Sequence, residues 1–170
     1  MSHNTGFAPI ARKDARILIL GSMPSEKSLQ QQQYYAHPRN AFWPIICRLF
    51  NAPLDLSYSQ KQQLLMENRI ALWDVLHSCF RSGSLDSAID PTTANCNDFK
   101  SFLQQYPQIE HVFFNGAKAE QLFRCQVLKE LDAQYLSYQR LPSTSPANAA
   151  LSMEKKLAKW KEALALKQQS

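Results

Sequence analysis

Glycine is scarce in this chain, with four residues in 170. Its one glycine-led loop after an apolar segment, at Gly21, carries neither a G-x-G-x-x-G turn nor a Walker lysine. The usual phosphate cradles of nucleotide-binding domains are therefore missing. Cysteine is equally sparse: Cys47, Cys79, Cys96 and Cys125 are irregularly spaced, with no CxxC pair and no zinc or iron–sulfur pattern. Reduced, mostly buried thiols are expected, with no metal and no other cofactor. No apolar run approaches the ~20 residues of a membrane span. The segment MSHNTGFAPIARK also lacks a signal peptide's apolar core. A cytoplasmic protein with no membrane partner is the expectation. Neither an internal repeat nor a linker divides the chain, so residues 1–170 read as one domain, large enough for a single core. A monomer is the expected working unit. Charged residues make up 19%, and the net charge of +5 suits a polyanionic partner, although only weakly.

What is present centres on residues 16–50, RILILGSMPSEKSLQQQQYYAHPRNAFWPIICRLF. A short apolar burst breaks at Gly21 into a long polar and aromatic loop, then enters an amphipathic run at Phe42. Loops beyond about 12–15 residues are uncommon in compact domains unless they are functional. This one is the first candidate for an active site.

Apolar segments with strand character occupy 16–20, 70–75, 111–115 and 135–141. The first three are apolar on both faces, as in a sheet covered on both sides. Helical patterns lie between them. Phe42, Ile45, Ile46, Leu49 and Phe50 form one stripe, and a polar helix is expected within 57–68. Phe99, Phe102 and Leu103 form another stripe, and 117–131 is helix-forming in composition. Ala150, Met153, Leu157, Trp160 and Leu164 step by threes and fours in a last helix. Strands alternating with helices predict an α/β fold, a mostly parallel sheet between helices. Ligands bind such sheets outside the carboxyl ends of the strands. The loops leaving those ends, at 21–39, after Val75 and at 142–145, should converge there.

Gly21 permits a tight turn whose backbone N–H groups can face an anion or carbonyl, or it makes an ordinary strand exit. Ser145 followed by Pro146 reads as the N-cap and first residue of the last helix, an end that can also hold a phosphate. Asn40 reads either as a helix cap or as a pocket amide. Pro44 lacks the N–H that a helix needs beyond its third position, so the helix should start at Ala41 or later, leaving Asn40 outside. Tyr34 and Tyr35 are adjacent and should point differently, one into the core and one toward a ligand. Asp74, at the end of the apolar segment 70–75, either bonds a ligand or caps a turn. Asn115 either starts a turn or faces the pocket.

Taken together and in order, GSMPS, YYAHPRNAFW, LWDVL with RSGSLDSAI, FFNGAKA and LPSTSPANA resemble the uracil-DNA glycosylase superfamily. Within it they are most similar to the hypoxanthine (deoxyinosine) DNA glycosylase branch, over about residues 16–150. The resemblance implies a three-layer α/β/α sandwich on a four-stranded, mostly parallel sheet. It implies release of a deaminated base from DNA by cleavage of its N-glycosidic bond, with DNA as the partner. Gly21, Ser22 and Met23 match the motif whose backbone lines the base pocket, and Asp74 would lie at the same edge. Tyr35 matches the ring that stacks on the flipped base. Ser143, Thr144, Ser145 and Ala147 match the loop that enters the DNA. Met23 stands where uracil-specific branches carry a catalytic Asp or Asn, Ser143 where they often carry a His or Asn, and Ala147 where a bulky residue fills the duplex. Asn40 matches the asparagine to which the hypoxanthine branch has moved its catalytic function, as a group that orients water or bonds the base. Uracil or a mismatched pyrimidine is the alternative base. A nucleotide-binding α/β module that does no chemistry is the alternative of another class.

Overall fold

The computed structural model describes residues 2–168. In chain order the strands are β1 (Ser2–Thr5), β2 (Ile17–Gly21), β3 (Ile70–Asp74), β4 (Leu76–Arg81), β5 (Asn95–Cys96), β6 (His111–Asn115) and β7 (Ser137–Leu141). The α-helices are α1 (Glu26–Gln31), α2 (Phe42–Leu49), α3 (Tyr58–Glu67), α4 (Phe99–Gln105), α5 (Ala117–Leu122) and α6 (Met153–Gln168). No helix among the described residues is long and apolar enough to cross a membrane.

The main sheet has the order β3-β2-β6-β7, every pair parallel. Alternation along β2 explains why both of its faces are apolar. Ile17 and Ile19 join one buried cluster with Phe42, Ile45 and Ile46 of α2, Leu65 of α3 and Trp160 of α6. Leu18 and Leu20 join the other, with Phe99, Phe102 and Leu103 of α4 and Ala119 and Leu122 of α5. These clusters are the two cores of a three-layer α/β/α sandwich. Strand order reverses at β2, which leads outward to β3 on one side and, through β6, on the other. A crevice opens at such a switch point, outside the carboxyl ends.

Local chemistry sets the helix ends. Ser57 and Gln60 form a reciprocal capping box on α3, at 3.2 and 2.9 Å. The N-cap of α2 is Ala41, so Pro44 sits at a position that needs no intrahelical N–H bond, and Asn40 lies outside the helix as its proline required.

The structure corrects the sequence reading in several places. The long loop holds a helix, α1, capped by Ser25, whose Oγ accepts from Ser28 N at 3.1 Å. Its glutamine-rich sequence has no apolar period to betray it. The segment after Val75 is not a loop but a strand: the chain passes into a second, antiparallel sheet, β1-β4-β5, and only then returns toward the site. The edge strand β1, Ser-His-Asn-Thr, is too polar to show an alternating pattern. The helix expected over 117–131 is α only to Leu122 and continues as a π turn and a 3-10 turn. Ser145 does not cap the last helix. Its Oγ accepts from Ala147 N at 3.2 Å within a turn that Asn148 N closes on Ser145 O at 3.0 Å. The helix begins eight residues further on, where Ser152 Oγ accepts from Lys155 N at 3.3 Å. The phosphate-binding helix end expected at Ser145 is therefore absent, and Ala150 lies outside the helix, exposed. Of the four thiols, Cys47 and Cys79 are buried, Cys96 is half-buried and Cys125 is exposed.

Candidate functional site

A cavity of about 580 Å³ opens at the carboxyl ends of the parallel strands. Gly21, Ser22, Met23, Tyr35, Asn40, Asp74, Ser143, Thr144, Ser145 and Ala147 all line it, so the sequence-predicted site residues meet at one place. Strand register explains the convergence, since Gly21 pairs with Asp74 and Asn115 with Leu141.

The first wall is the turn at 21–25. Gly21 O and Ser22 O accept from Val75 N and Leu76 N at 2.8 and 3.1 Å, which fixes its path. Met23 is 7% exposed and packs into the core cluster, while the residue as a whole still lines the cavity. A Cβ at Gly21 would sit 2.5 Å from Asp74 Oδ1 and 2.8 Å from Tyr35 Oη. Only glycine leaves room for those two groups to close together over the backbone.

They form the floor of the cavity. Asp74 is buried, and its Oδ2 has no hydrogen-bond partner among the described residues; Tyr35 Oη is buried too, facing Asp74 and the Asn115 amide. Loss of solvent, reinforced by Asp86 and opposed by Arg81, pushes the Asp74 carboxyl from its ordinary 3.8 up to about 7. Because the folded value exceeds the unfolded one, the folded chain binds the extra proton between those limits. The stability that the neutral acid permits is present below the unfolded value and is lost as pH rises toward about 7. Such a destabilising group persists where function requires it. Arg81 is wholly buried, donates Nη2 to Pro24 O at 2.5 Å and so holds the same turn from below.

Tyr34 and Tyr35 diverge as expected. Tyr34 is buried, its Oη donating to Ala8 O at 2.8 Å, whereas Tyr35 is half-buried; both border the cavity. The Tyr35 ring packs on Phe42 at 4.2 Å between centroids, and Phe42 in turn meets Trp160 edge-on at 5.9 Å. Tyr35 has φ of 54°, a left-handed conformation that costs a bulky residue energy and is typical of functional sites.

Asn40 bonds the start of α2 and also lines the cavity. Its Oδ1 accepts from Phe42 N at 2.9 Å, which caps α2 from just outside. A backbone N–H can only donate, so the amide orientation is settled. Nδ2 then lies free, without a partner among the described residues, at the cavity wall. The neighbouring Ala41 N donates to Thr144 O at 3.0 Å, tying Asn40 to the second loop.

That second loop is braced from several sides. Asn115 donates Nδ2 to Thr144 Oγ1 and accepts from Thr144 N, both at 2.9 Å. Thr144 is therefore a buried strut, and its side chain does not reach the surface. Gly116, at φ of 95°, lets the backbone pass Ser143, whose Cβ would lie 3.0 Å from an added side chain. From α6, Trp160 Nε1 donates to Pro142 O at 2.9 Å and the buried Lys156 Nζ to Ser145 O at 3.3 Å. Ser143 and Ser145 are half-buried, and Ala147 is exposed at the mouth.

Sequence reasoning missed several wall residues. Lys118 has no ion pair among the described residues, and Arg140 is exposed beside Glu120, Nε to Oε1 3.3 Å. Asp86 accepts from Ser22 Oγ, and Ser84 and Leu85 stand beside it. Net charge announced cations without placing them, and FFNGAKA contains Lys118 without marking it as a wall residue. The 84–87 segment reaches the site only because β4 and β5 fold it back.

The model of the uracil DNA glycosylase superfamily matches residues 8–167. A Methanosarcina acetivorans protein named hypoxanthine DNA glycosylase is 35% identical over 158 residues, 91% of this chain and 94% of the relative. One of the same name from Methanosarcina barkeri is 35% identical over 115 residues, covering 67% of this chain and 72% of its own. A solution NMR structure from M. acetivorans, provisionally described as a uracil DNA glycosylase, matches with a TM-score of 0.79 at 34% identity. That match covers 96% of this chain and 97% of the other. With the sheet order, the strand-end cavity and a match that spans nearly its whole length in agreement, the chain belongs to the uracil DNA glycosylase superfamily.

Proposed function

We propose that this protein removes hypoxanthine from DNA by hydrolysing the N-glycosidic bond of deoxyinosine. The observation that carries the reading is Asn40, which holds a free amide donor in the cavity while Met23, in the first motif, packs into the core. The names of the curated relatives support the same base.

A base stacked in a duplex is out of reach, so it must be extruded, at a cost of a few kcal/mol. In the cavity it meets the Tyr35 ring, the Asp74–Tyr35 floor and the backbone of Ser22 and Met23. As the bond from C1′ to N9 breaks, its electron pair passes to the base and positive charge gathers on the sugar. Water adds its oxygen to C1′ and releases a proton, and the departing base takes one up. Flanking DNA phosphates stabilise the sugar charge. Asn40 Nδ2 donates to the leaving base, a preorganised group aimed where charge develops. Asp74, neutral below about pH 7, adds a second donor at the floor. The mouth, with Ser143, Ser145, Ala147, Lys118 and Arg140, faces the DNA backbone.

Duplexes carrying a single inosine, uracil or xanthine, treated with enzyme and then alkali, test this reading. Cutting at inosine above the others is expected. Faster cutting at uracil reassigns the base, and no cutting at any of them overturns the reaction.

Asp74 also sets a pH dependence. The single-turnover rate should fall by about tenfold per pH unit above pH 7, as a carboxylate forms beside the departing anion. Asp74→Asn keeps a neutral donor that does not titrate, so its profile should be flat there, and its thermal stability should exceed the wild type's at pH 8. A variant with an unaltered alkaline limb assigns that titration to another group.

A further inference from the structure

The extruded base leaves a gap in the duplex, and Ala147, at the matching place in the second loop, carries only a methyl group. Four large apolar side chains are notably exposed among the described residues: Leu54, Phe80, Leu85 and Tyr135. Of these, only Leu85 lines the cavity, with 56% of its surface open to solvent. Burial does not account for Leu85, yet its surroundings are built.

Both sequence neighbours of Leu85 are pinned to the first wall. Ser84 Oγ accepts from Glu26 N at 2.9 Å, and Asp86 Oδ1 accepts from Ser22 Oγ. Leu85 itself is extended, with φ of −74° and ψ of 135°. In extended backbone, successive side chains point to opposite sides. Fastening residues 84 and 86 against the protein therefore presents residue 85 away from it, at the mouth. Behind it, Ala88 N donates to Leu85 O at 3.0 Å, Ile89 is buried, and Arg81 bridges to Ile89. The leucine is held out on a braced turn rather than on a free loop.

Apolar side chains of this size are the ones proteins insert between base steps. We propose that Leu85 is the wedge of this enzyme: it enters the duplex stack in place of the extruded nucleotide and holds it in the cavity. The inference rests on the glycosylase reading and supplies the part that the second loop lacks. Its attachment to Ser22 through Asp86 also couples the wedge to the wall of the base pocket.

Single-turnover excision from inosine in duplex and in single-stranded DNA separates this role from others. Leu85→Ala should slow duplex excision by roughly 10–100-fold, the worth of burying one leucine side chain, and slow excision from single-stranded DNA far less. Leu85→Met should retain most of the duplex rate. A bulky pyrene nucleotide opposite the inosine fills the gap from the other strand and should restore excision by Leu85→Ala. An unchanged duplex rate in Leu85→Ala, or an equal fall on both substrates, overturns the wedge while leaving the glycosylase reading intact. Failure of the wild type to excise inosine from either substrate overturns both.

Discussion

Asn40→Ala is expected to lower single-turnover excision of hypoxanthine by roughly 10²–10³, the scale of losing one preorganised donor aimed at developing charge. The alanine also removes the cap on Phe42 N, at a cost of about 0.5–2 kcal/mol to the helix start, so a second variant is needed. Asn40→Asp keeps the acceptor on Phe42 N and replaces the free amide by a carboxylate oxygen. If Asn40 acts by donating to the leaving base, the aspartate variant should be as slow as the alanine variant, with a stable fold. An aspartate variant that keeps its rate assigns Asn40 instead to water, which a carboxylate orients well. An alanine variant with an unchanged rate removes Asn40 from the chemistry altogether.

Trp160→Ala is expected to destabilise the protein by about 3–5 kcal/mol, the usual cost of deleting a large buried aromatic side chain. Trp160 is fully buried, packs edge-on against Phe42 and satisfies Pro142 O through Nε1. Its loss opens a cavity, orphans a carbonyl of the second loop and undercuts Phe42, on which the Tyr35 ring rests. Trp160→Phe keeps much of the bulk but loses the N–H donor along with part of the ring system, so it should cost about 1–3 kcal/mol. Urea unfolding measures both values. A cost below about 1 kcal/mol for the alanine variant would mean that the layer beneath the site relaxes freely. Excision by the phenylalanine variant should slow through Pro142, because the carbonyl that braces the second loop loses its donor.

The contrast between Asn40 and Ser145 shows how far local chemistry carries. Both were read against the same helix-start rules. At Asn40 a proline four residues on limited the options, and the helix begins where that proline requires, with the amide partly free. At Ser145 the same Ser-Pro signal was honest but local. A turn closed by Asn148 satisfies it, and the helix waits for Ser152. Thr144 was read as a DNA contact because it stands in the right loop, yet its register beside Asn115 buries it. Met23 was legible as a lost side chain, but only packing reveals that the methionine serves the core. Leu85, Asp86 and Lys118 lie inside stretches that carry the resemblance, but with no role attached, and Arg140 lies outside them all, because nothing in their spacing tells which loops meet.

The apolar runs, the helix stripes and the motif order by themselves determined the layers of this protein and the strand ends where its site would lie. Those features are local: alternation, periodicity and caps depend on near neighbours in the chain. The tertiary structure alone decided the strand order β3-β2-β6-β7, and with it which strand ends adjoin. It also decided that a second sheet returns residues 84–87 to the mouth, that Asp74 and Tyr35 close over Gly21, and that burial beside Asp86 raises the Asp74 carboxyl to about 7. Desolvation and contact between residues far apart in sequence are properties of the packed molecule, and no single segment of the chain contains them.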